Sequence, residues 1–371
     1  PPGEEERMSH PLQTASHAPV APRRQIGRLV VPDVLRGIAI VAMLIAHADG
    51  ALLRGMPAPI DLAMDELNDL ASPLFAFVMG ISAQLVWDRT VPGRRGVVVV
   101  QQMARGVILI VLGVWLAAWG GWVDVVLAYL GVLLIVAAPL LVLSSVWIVG
   151  IAAALVLLAE PLVQTAQLLL GPAVADLSVP IAADAARWVA LGANYRLLSL
   201  LPMFLLGVLA ARRGMPAGAA LGPIAGVGLM LAAVEPIASA TLPGGWPSGG
   251  WIDTAHDLAL VLLVYAGVAG LAGVRSPALR RVLRVLAVPL RACGSVALSL
   301  YVLQIALIAW WWSMGIGYQR TEWGLWLVLV PGLVLIGLGW WRVVGLGPIE
   351  WLLGAVTGRY RLIGRPQSGE R

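Results

Sequence analysis

Arg36 and His47 are the two side chains whose types and spacing most directly allow chemistry. They lie eleven residues apart in the apolar run that begins Pro32-Asp33-Val34-Leu35-Arg36-Gly37-Ile38-Ala39-Ile40 and continues to His47. On an α-helix, eleven steps of about 100° close to within about 20°, so both side chains share one face, about 16 Å apart along the axis. A guanidinium can fork onto phosphate, and an imidazole can serve as a general base near neutral pH. A face with a phosphate-binding end and a base at the far end fits a long, phosphate-headed donor such as acyl-CoA, the nucleotide staying in water while the thioester reaches into the membrane. The plainer alternatives are an Arg that snorkels and anchors topology and an interfacial His with no role. Only four His occur in the chain, and His10 and His17 lie in the N-terminal tail, which leaves His47 and His256.

Further polar residues extend this pattern. Asp33 precedes Arg36 by one turn, where an i,i+3 pair can orient the guanidinium. Arg105 follows Gln101 and Gln102 and is either a second phosphate contact or the partner of Asp33 or Glu350. Towards the other end of the chemistry, Asp124 is placed to orient His47, to meet an acceptor or to cap a helix. Arg196 can hold an anionic acceptor or pair with Glu235. His256-Asp257, with Asp253 nearby, reads as an acceptor-side polar rim or simply as a helix start, and its spacing is not diagnostic of a metal site. Gln84 and Gln304 fall in mid-span, where bonding between helices is the default explanation. No metal is expected. The chain lacks a Gly-x4-Gly-Lys loop and a His-Glu-x-x-His motif, and its single cysteine, Cys293, excludes an internal disulfide and a cysteine metal cluster.

The composition says what must position these groups. Apolar residues make up 60% of the 371 residues and charged residues only 12%, about half the charged share of a soluble domain, with mean hydropathy +0.88. The expected fold is all-α, a polytopic membrane helix bundle. Ten candidate spans run approximately 33–52, 70–87, 99–120, 124–143, 146–160, 196–211, 217–239, 256–274, 293–312 and 324–341. The 25 basic residues are all Arg, and they concentrate before or after alternate spans, with only Arg54, Arg187, Arg196 and Arg320 on the opposite side and Arg105 within a span. The positive-inside rule then places both termini in the cytoplasm. Asp49, Asp61, Asp65, Glu66, Asp69, Asp124, Glu160 and most of the later acids fall on the other side. Residues 1–27 read as a disordered cytoplasmic tail, 28–357 as the membrane domain and 358–371 as a basic tail. The first span reads as an uncleaved anchor. Trp310–Trp312 and Trp340–Trp341 mark the water interfaces. The net charge of +5 follows from loop asymmetry, and nucleic acid is not an expected partner.

Several motifs resemble membrane acyltransferases. Asp33-x-x-Arg36-Gly37 with the Arg-x10-His spacing is similar to the first helix of the acyltransferase-3 family. Asp69-Leu70-Ala71-Ser72-Pro73-Leu74-Phe75-Ala76-Phe77-Val78-Met79-Gly80-Ile81-Ser82 resembles heparan-α-glucosaminide N-acetyltransferase and its bacterial relatives, as do Asp124-Val125-Val126-Leu127-Ala128-Tyr129 and Leu201-Pro202-Met203-Phe204-Leu205-Leu206-Gly207. Ser299-Leu300-Tyr301-Val302-Leu303-Gln304 and Gly347-Pro348-Ile349-Glu350-Trp351 resemble YeiB-type proteins. The resemblance implies transfer of an acyl group, most often acetyl, from cytoplasmic acyl-CoA to a glycan or lipid-linked acceptor across a bacterial cytoplasmic membrane. His47 would be catalytic, Arg36, Arg105 and Asp33 would bind the donor, and Asp124, Arg196, His256 and Asp69 would bind the acceptor. A homodimer is a possible assembly. One departure stands out: the heparan acetyltransferases usually carry Asn eleven residues after the Arg and their active His in the loop before the Asp-Leu motif, and here the loop 50–68 holds no His. Either His47 takes the base role or the chemistry has been lost. A transporter or flippase for a lipid or small solute, and a non-catalytic partner in envelope biosynthesis, are the competing readings.

Overall fold

The computed structural model describes residues 25–48, 57–175, 180–242, 245–246, 248–316 and 323–358. The expected tails, apart from their innermost residues, lie outside this set, as does the first part of the 50–68 loop. Among the described residues every regular element is helical. The first half contains α1 (Gln25–Ala48), α2 (Ala58–Arg89), α3 (Arg95–Ala117), α4 (Leu127–Leu140), α5 (Ser145–Ala175), α6 (Pro180–Ala186), which runs into a π turn ending at Leu191, and α7 (Leu197–Arg212). Then follow α8 (Leu221–Ala232), α9 (Val234–Thr241), α10 (Trp251–Ala272), α11 (Pro277–Ser295), α12 (Ala297–Ser313), α13 (Trp323–Leu327), α14 (Leu333–Val343) and α15 (Pro348–Val356).

Among the described residues seven helical segments are long and apolar enough to cross a membrane. The pair α11–α12, bent by 73°, makes an eighth if it is one span, and α4 and α7 are shorter apolar helices. Together they take up all ten apolar runs of the sequence. In hydrocarbon a helix satisfies its backbone polar groups internally, which is why this composition folds as helices. Pro73 and Pro202 lie inside α2 and α7, a placement that membrane helices tolerate because neighbouring groups satisfy the freed carbonyls.

The element boundaries differ from the sequence expectation in four places. α2 begins at Ala58, so the second half of the presumed loop is helix and carries Glu66, Asn68 and Asp69 on its first turns. α5 continues to Ala175, through Pro161, into what reads as an outer loop. The apolar run 217–239 breaks at Ala233, two residues before Glu235 and Pro236. The Arg-rich stretch 277–295, expected as a cytoplasmic loop, is α11. Its charge density suggests a loop, but Leu279, Val282, Leu283, Leu286 and Leu290 recur at helical spacing. Its first half stands exposed, and its second half packs along α1.

The centre of the bundle is built from α1 and α2, each 67% buried over its span, whereas the segment 218–241 is 6% buried and faces outward with large apolar side chains such as Leu229 and Met230. Bare apolar faces are stable against lipid, not against water. Close packing at the centre rests on small residues. Gly80 of α2 abuts the carbonyl of Phe204 in α7, and Gly207 of α7 abuts the carbonyl of Phe77 in α2. Gly37 of α1 and Gly294 of α11 meet in the same reciprocal way, against Leu290 and Asp33 backbone. A Cβ at any of these four would overlap the neighbouring main chain. Arg212 locks the same region: Nε donates to Gln84 Oε1 (3.0 Å), and its two Nη atoms donate to the carbonyls of Leu143 (2.7 Å) and Leu141 (2.8 Å) just past α4.

Gly207→Leu is expected to force α2 and α7 apart and to cost about 2 kcal/mol or more. The measurement is the thermal unfolding midpoint in detergent micelles, with Gly226→Leu on the open lipid face, where a Cβ meets nothing within 4 Å, expected to leave it unchanged.

Candidate active site

Two cavities open on either side of a thin wall in the bundle. The first, about 390 Å³, lies towards the Arg-rich end. α1 contributes Asp33, Arg36 and Met43, α2 contributes Phe75, Met79 and Ser82, and α3 contributes Gln102 and Arg105. Leu127 and Leu130 of α4, Leu298 and Tyr301 of α12 and Glu350 of α15 complete it. Its polar groups cluster near Arg36, and the remainder is mostly aliphatic and aromatic. Arg36 Nη2 donates to Ser82 Oγ (2.8 Å), and Nη1 lies 3.7 Å from Asp33 Oδ1. The i,i+3 pair anticipated in the sequence therefore forms, with Ser82 of α2 as an added partner. Glu350 is engaged in capping α12: it accepts from the amides of Leu298 (2.6 Å) and Ser299 (3.2 Å) and from the Ser299 hydroxyl.

The second cavity, about 490 Å³, lies towards the acid-rich end and is predominantly polar. His47 comes from the last turn of α1, Asp69 and Ser72 from α2, and Trp122 and Asp124 from the connection between α3 and α4. Asn194, Tyr195 and Arg196 precede α7, and Glu235, Asp253, His256 and Asp257 come from α9 and α10. Asp124 accepts from the Asn194 amide, not from His47. Arg196, only 4% exposed, donates to the Ala193 carbonyl (3.1 Å) and reaches Ser248 Oγ (3.5 Å). Burial lowers the pKa of its guanidinium, with Asp253 opposing. Burial likewise raises that of the neighbouring Tyr195 phenol, which Ser72 opposes by hydrogen bonding. Glu235 does not reach Arg196: its Oε2 lies 2.6 Å from His256 Nδ1, and His256 Nε2 faces Glu66 (3.2 Å) and Asp69 (3.8 Å). Among the described residues no group of three His, Cys, Asp or Glu side chains is arranged to hold a metal ion.

The residues to which the sequence assigned a catalytic or binding role line one cavity or the other: Asp33, Arg36 and Arg105 the first, His47, Asp69, Asp124, Arg196 and His256 the second. The expectation of one continuous face from Arg36 to His47 is modified, because Arg36 lines the first cavity and His47 the second. The wall between the cavities is about one helical turn thick, about 5 Å. α1 passes from Met43 in the first lining to Ala46 and His47 in the second, and the α3–α4 connection passes from Asp124 in the second to Val126 in the first. α12 passes from Tyr301 in the first lining to Gln304 against His47. Hydrogen bonds tie the three strips together. The Val126 amide donates to Tyr301 Oη (3.1 Å), Trp122 Nε1 donates to the His47 carbonyl (3.2 Å), and Gln304 Nε2 lies 2.8 Å from His47 Nδ1. Gln304, Ser82 and Trp122 escape the sequence reading as site residues. The one signal for Gln304 is its polarity in an otherwise apolar helix.

The described residues thus form a multi-pass helix bundle in which a partly apolar cavity lined by Asp33, Arg36, Arg105 and Glu350 backs onto a polar one that His47 lines. The catalytic model for heparan-alpha-glucosaminide N-acetyltransferase matches residues 28–218, just over half of the chain, and the chain belongs to that family. It is thereby a multi-pass membrane protein of acetyltransferase type. No curated protein matches the chain. The matched half supplies α1 to α7, hence Arg36, His47, Arg105 and the Asp69 motif; α9, α10, α12 and α15, outside it, supply Glu235, His256, Gln304 and Glu350.

Glu350→Ala is expected to destabilise the protein by about 2–3 kcal/mol, since it removes a charged acceptor shared by three donors at the start of α12. Thermal unfolding in detergent reads this out, and Ser299→Ala, which deletes one of the three, is expected to cost less.

Proposed function

We propose that the protein moves an acetyl group from cytoplasmic acetyl-CoA, held at the Arg-rich end, to an amine or hydroxyl of a glycan or lipid-linked sugar entering the acid-rich cavity. The membrane concerned is the cytoplasmic membrane of a bacterium, with both chain termini inside. The observation that carries this reading is the pair of cavities set back to back across one helical turn, Arg36 and Arg105 on one side and His47 on the other. The donor set suits acetyl-CoA. Arg36 and Arg105 offer charge-assisted donors to phosphate, Ser82 and Gln102 offer neutral partners, and the apolar lining beyond them suits a pantetheine arm and a small acyl group. Asp33 holds the Arg36 guanidinium in place. On the other side, Asp69, Asp124, Arg196 and His256 form a rim able to orient a polar acceptor.

In the reaction His47 takes the proton from the acceptor N–H or O–H as the new bond forms to the thioester carbonyl carbon. The C–S bond breaks, its electron pair leaves with sulfur, and protonated His47 returns the proton to the thiolate, giving acetylated acceptor and free CoA. Direct transfer requires the thioester to pass the wall that Met43 and Tyr301 line on the donor side. Back-to-back cavities across a thin wall are also the geometry of an alternating-access carrier, and that second reading predicts solute counterflow with no release of CoA thiol.

With purified protein in nanodiscs, Arg36→Ala is expected to weaken acetyl-CoA binding about 10- to 100-fold, the loss of a charge-assisted contact. His47→Ala is expected to keep acetyl-CoA affinity and to slow acetyl transfer to glucosamine by about 10²- to 10⁴-fold. Calorimetry and CoA thiol release measure the two, and a protein that binds no acyl-CoA overturns the proposal.

A further inference from the structure

We propose that Gln304 is a positioning residue that selects which nitrogen of His47 carries the proton; the inference rests on the reading of His47 as the base. Gln304 is fully buried on α12, and its Nε2 lies 2.8 Å from His47 Nδ1 and 3.5 Å from the Met43 carbonyl. With Nδ1 committed to Gln304, Nε2 is the nitrogen left for the acid-rich cavity that His47 lines.

Which form of His47 meets the acceptor then depends on which end of the amide faces Nδ1. With the NH2 group donating to Nδ1, the proton of neutral His47 sits on Nε2, and that nitrogen can only donate. With the carbonyl accepting from Nδ1–H, Nε2 presents a lone pair and can act as a base. The protonated imidazole formed during transfer also carries Nδ1–H and needs an acceptor there. Gln304 Oε1 is buried and makes no hydrogen bond, and a half turn of the amide brings it to Nδ1. An amide that served only to join α1 to α12 would gain nothing from an idle buried carbonyl, which costs free energy. The idle oxygen becomes useful once His47 must hold its proton on Nδ1. A carboxylate at this place would support only the Nδ1–H forms, whereas the amide selects between the forms by which end it turns to the ring.

The test compares Gln304→Met, close in size and without hydrogen-bonding capacity, with Gln304→Glu, which keeps an acceptor. Both are assayed as full-length protein in nanodiscs, with acetyl-CoA and glucosamine. Gln304→Met is expected to lower kcat about 10- to 100-fold, as loss of an orienting partner does, with both KM values within about twofold. Gln304→Glu is expected to stay within about tenfold of the parent. Independently of any acceptor, ¹⁵N spectra of His-labelled protein, with the His47 signal identified by its loss in His47→Ala, are expected to show the proton moved to Nδ1 in Gln304→Glu. Unchanged kcat in Gln304→Met while His47→Ala is inactive overturns the role of Gln304 alone. So does an equal loss in the Met and Glu variants, or a ¹⁵N signal that does not respond to Gln304→Glu. Full activity of His47→Ala overturns the base reading and this inference with it.

Discussion

A polar side chain in hydrocarbon has no water to turn to, so it must find a partner in the protein or line a cavity that admits water. The arrangement of this bundle follows from that constraint. Arg212 spends its guanidinium on two carbonyls past α4 and on Gln84. Glu350 is consumed by the start of α12. Gln304 and His47 meet each other across two helices. The polar residues that remain gather round two cavities, and the apolar surface left over faces outward on α3, α5 and α8. The glycine contacts between α1 and α11 and between α2 and α7 serve the same end, since polar groups on neighbouring helices reach each other only when the main chains approach closely.

The thinness of the wall between the cavities is the feature with chemical meaning. A membrane acetyltransferase must keep its donor and acceptor compartments separate, yet let one small group pass. Here the wall between the two cavities is one helical turn of three elements, Met43 to His47, Asp124 to Val126 and Tyr301 to Gln304. Two of the three strips adjoin breaks in regular helix. The α3–α4 connection is irregular backbone with Gly120 and Gly121 at positive φ, and α12 starts at a 73° bend. They are held by the Val126–Tyr301, Trp122–His47 and Gln304–His47 bonds, so the His at the centre is also a structural junction.

Membership of the family rests on the first half of the chain, whereas the site depends on both halves. His47 and Arg36 lie in the matched region, and Tyr301, Gln304, His256 and Glu235 lie beyond it. Where the family resemblance implies a His in the loop before Asp69, the candidate base of this chain, His47, sits on α1 and meets Gln304 of α12.

Much was legible in the sequence by itself. Hydropathy alone pointed to a membrane helix bundle, because apolar runs of this length satisfy their backbone in lipid as helices. Scarcity of polar groups in apolar runs picked out Arg36, His47, Arg105, Asp124, Arg196 and His256, because each ionisable group at membrane depth is costly to keep. Periodicity along α1 put Arg36 and His47 on one face. Pairing between helices was not legible, since it depends on which helices are neighbours and at what height. So Glu235 reaches His256 and not Arg196, Asp124 meets Asn194 and not His47, and Gln304, expected only to bond between helices, has His47 as its particular partner. The helix α11 was hidden by its own charge, which resembles a loop until its apolar face has α1 to pack on. Composition and periodicity are properties of one segment, and contacts between distant segments exist only once the bundle has closed.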